Sequence, residues 1–153
     1  MKITDLLAPT AILPDMSGTT KLAVLEELAG PLVPGPEGLD LDTVVEVLME
    51  RERLGSTGIG DSVAIPHGKL TELSGLKVAF GRSLKGVNFD SVDGKPPHLF
   101  FLLLAPVNSA GLHLKALAKI SRMLMSAAFR ENLMQAANAD DLYRLLAAKD
   151  EEI

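Results

Sequence analysis

The sequence contains an uninterrupted apolar run, Leu99-Phe100-Phe101-Leu102-Leu103-Leu104. A strand that is apolar at every position must be covered on both faces, so this run predicts the centre of a β-sheet lying between two layers of helices. Two further β-rich stretches, residues 63–65 and residues 76–84, predict strands that join it. The run therefore favours an α/β fold with the sheet in the middle.

Helical periodicity flanks the predicted strands on both sides, before residue 55 and after residue 109. The expected capping residues of these helices are, in chain order, Thr19 or Thr20, Asp40 or Asp42, and Asn138 or Asp140. No repeat or linker divides the chain. We therefore predict a single domain over residues 1–153, a three-layer sandwich with a mixed β-sheet and helices on both faces.

Composition narrows the classes of function. Hydrophobic residues make up 47% of the chain and charged residues 23%, which is typical of a globular protein. The net charge of −5 argues against nucleic acid as a partner, because binding a phosphate backbone requires concentrated Lys and Arg. The absence of cysteine excludes thiol catalysis and cysteine-based metal sites. With no signal peptide and no bilayer-spanning apolar segment, we expect a cytoplasmic protein that is not inserted in a membrane.

A glycine-rich stretch, Gly55-Ser56-Thr57-Gly58-Ile59-Gly60, precedes the first predicted strand. Val63 stands where a dinucleotide fingerprint would need its third glycine, and the Gly-Lys-Ser/Thr triplet of a P-loop is missing from the chain. The sequence also lacks a nucleophile elbow and a His-Glu-x-x-His pair. Nucleotide binding, serine hydrolysis and zinc proteolysis are therefore not supported.

His67 follows the predicted strand at residues 63–65 and lies between Pro66 and Gly68. Proline fixes one backbone angle and glycine has no side chain, so we expect the imidazole in an accessible turn at the sheet edge. An imidazole that is neutral near pH 7 can attack phosphorus as a nucleophile. His67 is therefore a candidate phosphoryl acceptor, and an ordinary turn histidine is the alternative.

Other candidate residues supply donors for a bound anion. Arg51 continues the apolar stripe of the second predicted helix, and His113 continues the stripe of the helix after residue 109 toward its N-terminus. Helix N-termini attract anions, and guanidinium groups bind phosphoryl oxygens in pairs. The hydroxyls of Ser56 and Thr57 are further candidate donors. Taken singly, Arg51 pairing with a surface carboxylate and His113 serving as a capping or core histidine are the alternatives.

Several motifs, in order and spacing, closely resemble the enzyme IIA domain of the fructose/mannitol type from the bacterial phosphotransferase system. They are Arg51-Glu52-Arg53-Leu54-Gly55-Ser56-Thr57-Gly58-Ile59-Gly60, Val63-Ala64-Ile65-Pro66-His67-Gly68, Asn88-Phe89-Asp90-Ser91-Val92-Asp93-Gly94, Leu104-Ala105-Pro106 and His113-Leu114. The resemblance spans nearly the whole chain. It implies the mannitol-type enzyme IIA fold.

The resemblance also implies a function. A small histidine phosphocarrier protein (HPr-like), charged from phosphoenolpyruvate through enzyme I, would pass a phosphoryl group to His67. Arg51 and His113 fall on positions that the family uses around the acceptor. The chain would then be a phosphotransferase with a phosphohistidine intermediate and a downstream protein partner. The scheme requires no metal and no organic cofactor.

The stand-alone length, the glycine-rich stretch and the string Ala64-Ile65-Pro66-His67-Gly68-Lys69 are most similar to the nitrogen-regulatory branch of the family. That branch implies regulation of a target protein. Three alternatives stay open: a sugar-specific (fructose or mannitol) enzyme IIA that passes the phosphoryl group to a membrane transporter, a docking or sensory module that is never phosphorylated, and a metal site formed by His67, His113 and a nearby carboxylate.

Two features depart from the family pattern. Asp61-Ser62 stands where the family commonly has an Asn-Gly-like pair, so we expect a differently bent loop and an extra negative charge near the site. His98, at the entry of the central strand, matches no role in the family. We interpret His98 as structural.

Overall fold

The computed structural model describes residues 1–153, which form five α-helices and six strands. The strands are β1 (Ile12–Leu13), β2 (Gly58–Gly60), β3 (Val63–Ala64), β4 (His67–Leu70), β5 (Lys77–Arg82) and β6 (Leu99–Pro106). The helices are α1 (Lys21–Ala29), α2 (Leu41–Arg53), α3 (Ala110–Met123), α4 (Ala127–Gln135) and α5 (Ala139–Glu152). Short 3-10 helices occupy Ile3–Asp5, Pro9–Ala11 and Gly30–Leu32. The predicted α/β class is confirmed.

Strand β6 is the centre of the sheet, and all of its residues are buried, as the apolar run predicts. The strands follow the order β1-β5-β6-β3-β2, with β4 also paired to β6. β5 runs antiparallel to β6, whereas β3 and β4 run parallel to it, so the sheet is mixed. β3 and β4 lie one after the other along the edge of β6 that faces away from β5.

The short break between β3 and β4, at residues 65–66, determines where His67 lies in the sheet. Pro66 has no N–H to donate, but its carbonyl oxygen accepts a 3.0 Å hydrogen bond from the N–H of Leu103, so the chain rejoins β6 at once. His67 is therefore the first residue of β4, opposite Leu103. The expectation of a turn position is wrong, because the strand resumes after the proline.

Capped helices cover the sheet. The side chain of Thr20 accepts a hydrogen bond from the backbone of α1, Asp40 does the same for α2 and Asn138 for α5. α1 packs on α2, and the two contact β5 and β4, while α3 contacts β6 and α5 contacts β1. The helices share with the sheet one cluster of 37 buried apolar residues. None of the helices combines the length and the hydrophobicity needed to cross a bilayer.

Gly68 sets the distance between α2 and β4. A Cβ atom at this position would lie 2.8 Å from Cγ1 of Val47 and 3.5 Å from Cδ2 of Leu48. Only a residue without a side chain lets the helix approach this closely. The approach brings the last turn of α2, which carries Arg51, to the start of β4.

Candidate functional site

The ring of His67 is held by the backbone just before it. Its Nδ1 lies 2.8 Å from the carbonyl oxygen of Ile65. A carbonyl oxygen can only accept a hydrogen bond, so Nδ1 carries the hydrogen and Nε2 keeps its lone pair when the ring is neutral. The sequence alone does not identify the nucleophilic nitrogen. The hydrogen bond to Ile65 leaves Nε2 as the ring nitrogen with a free lone pair.

His67 opens onto a cavity of about 380 Å³. Its lining residues are Arg51, His67, Lys69, Ala110, His113, Leu114 and Leu117. The polar side chains come from α2, β4 and α3, and all of them are basic. No carboxylate lines the cavity, although a metal site built on the two histidines would need one. The donor set is suited to an anion.

His113 lies in the first turn of α3 with its ring against that of His67. The two ring centroids are 5.3 Å apart, with an angle of 71° between the ring planes. His113 is buried, and its Nδ1 has no hydrogen-bond partner within the protein. A buried nitrogen without a partner is costly.

Arg51 occupies the last turn of α2. Its Nη1 donates a 2.9 Å hydrogen bond to the carbonyl oxygen of Gly55, and the guanidinium makes no ion pair with a carboxylate. The alternative of a surface salt bridge is therefore not what the structure shows. The remaining N–H donors of the fork are available to a ligand.

The pKa of both rings is lowered from the ordinary value of 6.5. For His67 the largest cause is burial, to which the charges of Arg51 and Lys69 add, while the hydrogen bond to Ile65 and the charge of Glu52 oppose the shift. For His113 the causes are burial, then His67 and Lys69. Both imidazoles are therefore mostly neutral at pH 7, the form in which a ring nitrogen keeps its lone pair.

Lys69 is a cavity residue to which the sequence analysis assigned no role. It lies two residues after His67 in β4, so the two side chains project from the same face of the strand. Strand periodicity would have revealed it. The expected turn at His67 hid that signal.

Ser56 and Thr57, the other candidate donors, do not line the cavity. The hydroxyl of Ser56 donates to the carbonyl oxygen of Phe89 and accepts a 3.0 Å hydrogen bond from the N–H of Gly58. The hydroxyl of Thr57 is buried and donates to the carboxylate of Glu52. Both hydroxyls therefore have structural partners, and they hydrogen-bond the glycine-rich stretch to Phe89 and to Glu52.

Asp61 and Ser62 lie at the opposite end of β6 from His67. Both have positive φ angles, 54° and 71°, and they form a tight two-residue turn between β2 and β3. They line a separate cavity of about 520 Å³, in which the hydroxyl of Ser62 lies 2.9 Å from Nδ1 of His98. The negative charge of Asp61, which was expected near His67, therefore lies at a different cavity.

The chain is similar to known proteins along nearly its whole length. The family model described as "Phosphoenolpyruvate-dependent sugar phosphotransferase system, EIIA 2" matches residues 5–149. A nitrogen regulatory protein of Bradyrhizobium diazoefficiens is 44% identical over 147 residues, which cover 96% of this chain and 95% of that protein. The fructose-specific EIIABC component of Bacillus subtilis is 35% identical over 98% of this chain, which corresponds to 24% of that longer protein.

Solved structures show the same fold. The crystal structure of the nitrogen regulatory protein IIA-Ntr from Neisseria meningitidis matches with a TM-score of 0.88 at 38% identity, covering 94% of this chain and 98% of that one. IIA mannitol from Escherichia coli matches with a TM-score of 0.78 at 23% identity, covering 92% of this chain and 98% of that one. The mannitol-type architecture expected from the sequence is confirmed.

Proposed function

This chain belongs to the EIIA 2 family of the phosphoenolpyruvate-dependent sugar phosphotransferase system, and on that premise we propose that His67 accepts a phosphoryl group on Nε2. Members of this family are phosphotransfer components. The observation that carries the proposal is the hydrogen bond between Nδ1 of His67 and the Ile65 carbonyl oxygen. It leaves one ring nitrogen as a nucleophile, beside a cavity whose polar side chains are all basic.

The transfer is a displacement between two imidazoles. The lone pair of Nε2 attacks phosphorus, a new N–P bond forms, and the N–P bond of the donor breaks with its electron pair returning to the donor imidazole. The hydrogen remains on Nδ1 and remains hydrogen-bonded to the Ile65 carbonyl oxygen, and this hydrogen bond orients the ring throughout the transfer. Little covalent chemistry is left to the protein, so rate enhancement depends on position and charge.

The residues around His67 hold the transferred group. Arg51 offers unused N–H donors in a planar fork, Lys69 offers a point charge, and Nδ1 of His113 lacks a partner. A phosphoryl group on histidine carries close to two negative charges. These groups offset that charge and stabilise both the transition state and the phosphorylated protein.

We propose that the donor is a histidine phosphocarrier protein and that the acceptor is a regulatory target or a further carrier. Two nitrogen regulatory proteins, from Bradyrhizobium diazoefficiens and Pseudomonas aeruginosa, match along 95% of their length, which favours a regulatory role related to nitrogen. The fructose-specific relatives support the second candidate, transfer to a sugar transporter. In either case we place the protein in the cytoplasm, with residues 1–153 forming one domain.

Phosphoryl transfer is tested with purified components. The chain is incubated with phosphoenolpyruvate, enzyme I and the phosphocarrier, and intact mass spectrometry then counts acid-labile phosphoryl groups. We expect one group on the unaltered chain and on a His98→Ala control, and none on His67→Ala. Label retained by His67→Ala would contradict the proposal, and so would a chain that is never labelled.

The branch is tested in the next step. The labelled chain is mixed with a fructose-type or mannitol-type IIB domain, and the loss of label is followed with time. A regulatory protein keeps its label under these conditions. Complete transfer within the mixing time would favour the sugar-specific role.

A further inference from the structure

Glu52 is a charged residue that the proposed transfer does not use. It lies in the last turn of α2, next to Arg51 in the sequence, and only 6% of its surface is exposed. Burying an ionised carboxylate is costly unless hydrogen bonds and an opposite charge compensate. Its partners therefore indicate what the buried charge is for.

The carboxylate of Glu52 joins three parts of the chain. It accepts a 3.2 Å hydrogen bond from the backbone N–H of Thr57 and a second hydrogen bond from the hydroxyl of the same residue. Nζ of Lys21, at the start of α1, lies 3.3 Å from Oε1. Both oxygens are thus engaged, and the residue they hold most directly is Thr57.

Holding Thr57 fixes the segment that positions Arg51. Only a few residues separate the end of α2 from Thr57, and Gly55 is one of them. The carbonyl oxygen of Gly55 accepts the hydrogen bond from Arg51. The same helix end carries both Glu52 and Arg51. By binding Thr57, the carboxylate of Glu52 fixes the loop after α2. The position of the Gly55 carbonyl oxygen in that loop is therefore fixed as well.

We propose that Glu52 is the positioning residue of the phosphoryl site, which sets the Arg51 guanidinium against His67 by clamping Thr57. This inference rests on the proposed function above. Glu52 is kept out of the cavity by burial beneath the loop, so it does not touch the phosphoryl group or a docked protein. Its influence reaches the site through Arg51 and through its charge.

The charge has a separate effect that a simple packing residue would lack. Among the charged side chains that shift the pKa of His67, Glu52 is the only carboxylate, and it opposes Arg51 and Lys69. Removing its charge lowers the pKa of His67 further. The rate of phosphoryl transfer rises with pH as His67 loses its proton, and this rise forms the acid limb of the pH–rate profile. The acid limb must then move to lower pH.

The experiment compares three variants in single-turnover phosphoryl transfer from excess phosphocarrier, where kcat is the limiting rate constant and KM is the phosphocarrier concentration that gives half of it. Glu52→Gln keeps the size of the side chain and removes its charge, Thr57→Val removes the clamped hydroxyl and keeps the charge, and Glu50→Gln makes the same charge change on an exposed part of α2. A misplacement of about 1 Å costs up to about 100-fold in rate. We expect kcat to fall about tenfold to 100-fold in Glu52→Gln and Thr57→Val, with KM unchanged.

The pH profile separates position from charge. The acid limb moves to lower pH in Glu52→Gln and stays in place in Thr57→Val, while Glu50→Gln matches the unaltered chain in both readouts. Glu52→Gln with an unchanged kcat, or a loss confined to KM, overturns the inference. If Glu52→Gln does not fold, the kcat of Thr57→Val decides the question alone.

The two proposals fail in different ways. An unaltered chain that takes no phosphoryl group overturns the proposed function and the role of Glu52 with it. An unaltered chain that is labelled on His67, together with variants that transfer at the same rate, overturns the role of Glu52 alone.

Discussion

Gly68→Ala tests the close approach of α2 to β4. The new Cβ atom would lie 2.8 Å from Cγ1 of Val47, whereas carbon atoms in contact lie about 3.5–4.0 Å apart. Val47 is β-branched, and its χ1 angle is nearly fixed in a helix, so its methyl group cannot swing away. The helix must therefore retreat from the strand by about 0.7–1.2 Å, the difference between these distances.

The retreat has two measurable consequences. Overpacking of this kind destabilises a protein by about 1–3 kcal/mol. At about 2–4 °C per kcal/mol for a chain of this size, Tm falls by about 2–12 °C. Arg51 lies one turn beyond Val47 on the same helix, so it is displaced as well, and a misplacement of about 1 Å lowers the rate of phosphoryl transfer to His67 by up to about 100-fold.

Thermal denaturation and a quenched-flow labelling assay measure the two effects. Gly75→Ala is the matched control, because a Cβ atom there meets nothing within 4 Å, and it should leave both quantities unchanged. Adding Val47→Ala to Gly68→Ala restores the space and should recover most of the transfer rate. If Gly68→Ala shows the Tm and the rate of the unaltered chain, the close approach does not position Arg51.

Three further predictions concern charge. Arg51→Ala should shorten the half-life of the phosphohistidine about tenfold to 100-fold, since hydrogen bonds to charged groups contribute about 1.5–3 kcal/mol. An unchanged half-life would show that Arg51 does not contact the phosphoryl group. Because the pKa values of His67 and His113 are lowered, the unfolded chain binds more protons than the folded one just below pH 6.5. The urea midpoint should therefore fall as pH drops below 6.5, and less steeply in His67→Gln. Phosphorylation should raise the pKa of His113, seen as a shifted NMR titration of its ring, and an unshifted titration would separate His113 from the phosphoryl group.

The parts of the fold that the sequence predicts are those with a local cause. An uninterrupted apolar run indicates a buried strand, and β6 is buried along its length. The caps at Thr20, Asp40 and Asn138 are also local, because each side chain bonds to a backbone N–H three residues on. Strand β1, only two residues long, was not predicted, because it is defined solely by its pairing with β5.

The site was predictable in its residue types and less so in its contacts. The apolar stripe of α2 predicts that Arg51 lies on the core-facing side, and it predicts no burial for its neighbour Glu52. In the structure Glu52 continues the buried positions Val44 and Leu48 at a spacing of four residues, while Arg51 reaches the cavity. The hydroxyl of Thr57 takes the buried carboxylate as its partner, a contact that helical spacing does not specify.

The cavity beside His67 is lined by side chains of like charge. Arg51 and Lys69 line it without a carboxylate, and Nδ1 of His113 is buried without a partner. Like charges at short range and an unpaired buried nitrogen both raise the free energy of the folded state. On the proposed function, a phosphoryl group on Nε2 of His67 would bring close to two negative charges into this basic cavity and nearly balance its charge. On that proposal, the event that stores the phosphoryl group also changes the surface that a partner meets, so one site would serve for carrying and for signalling.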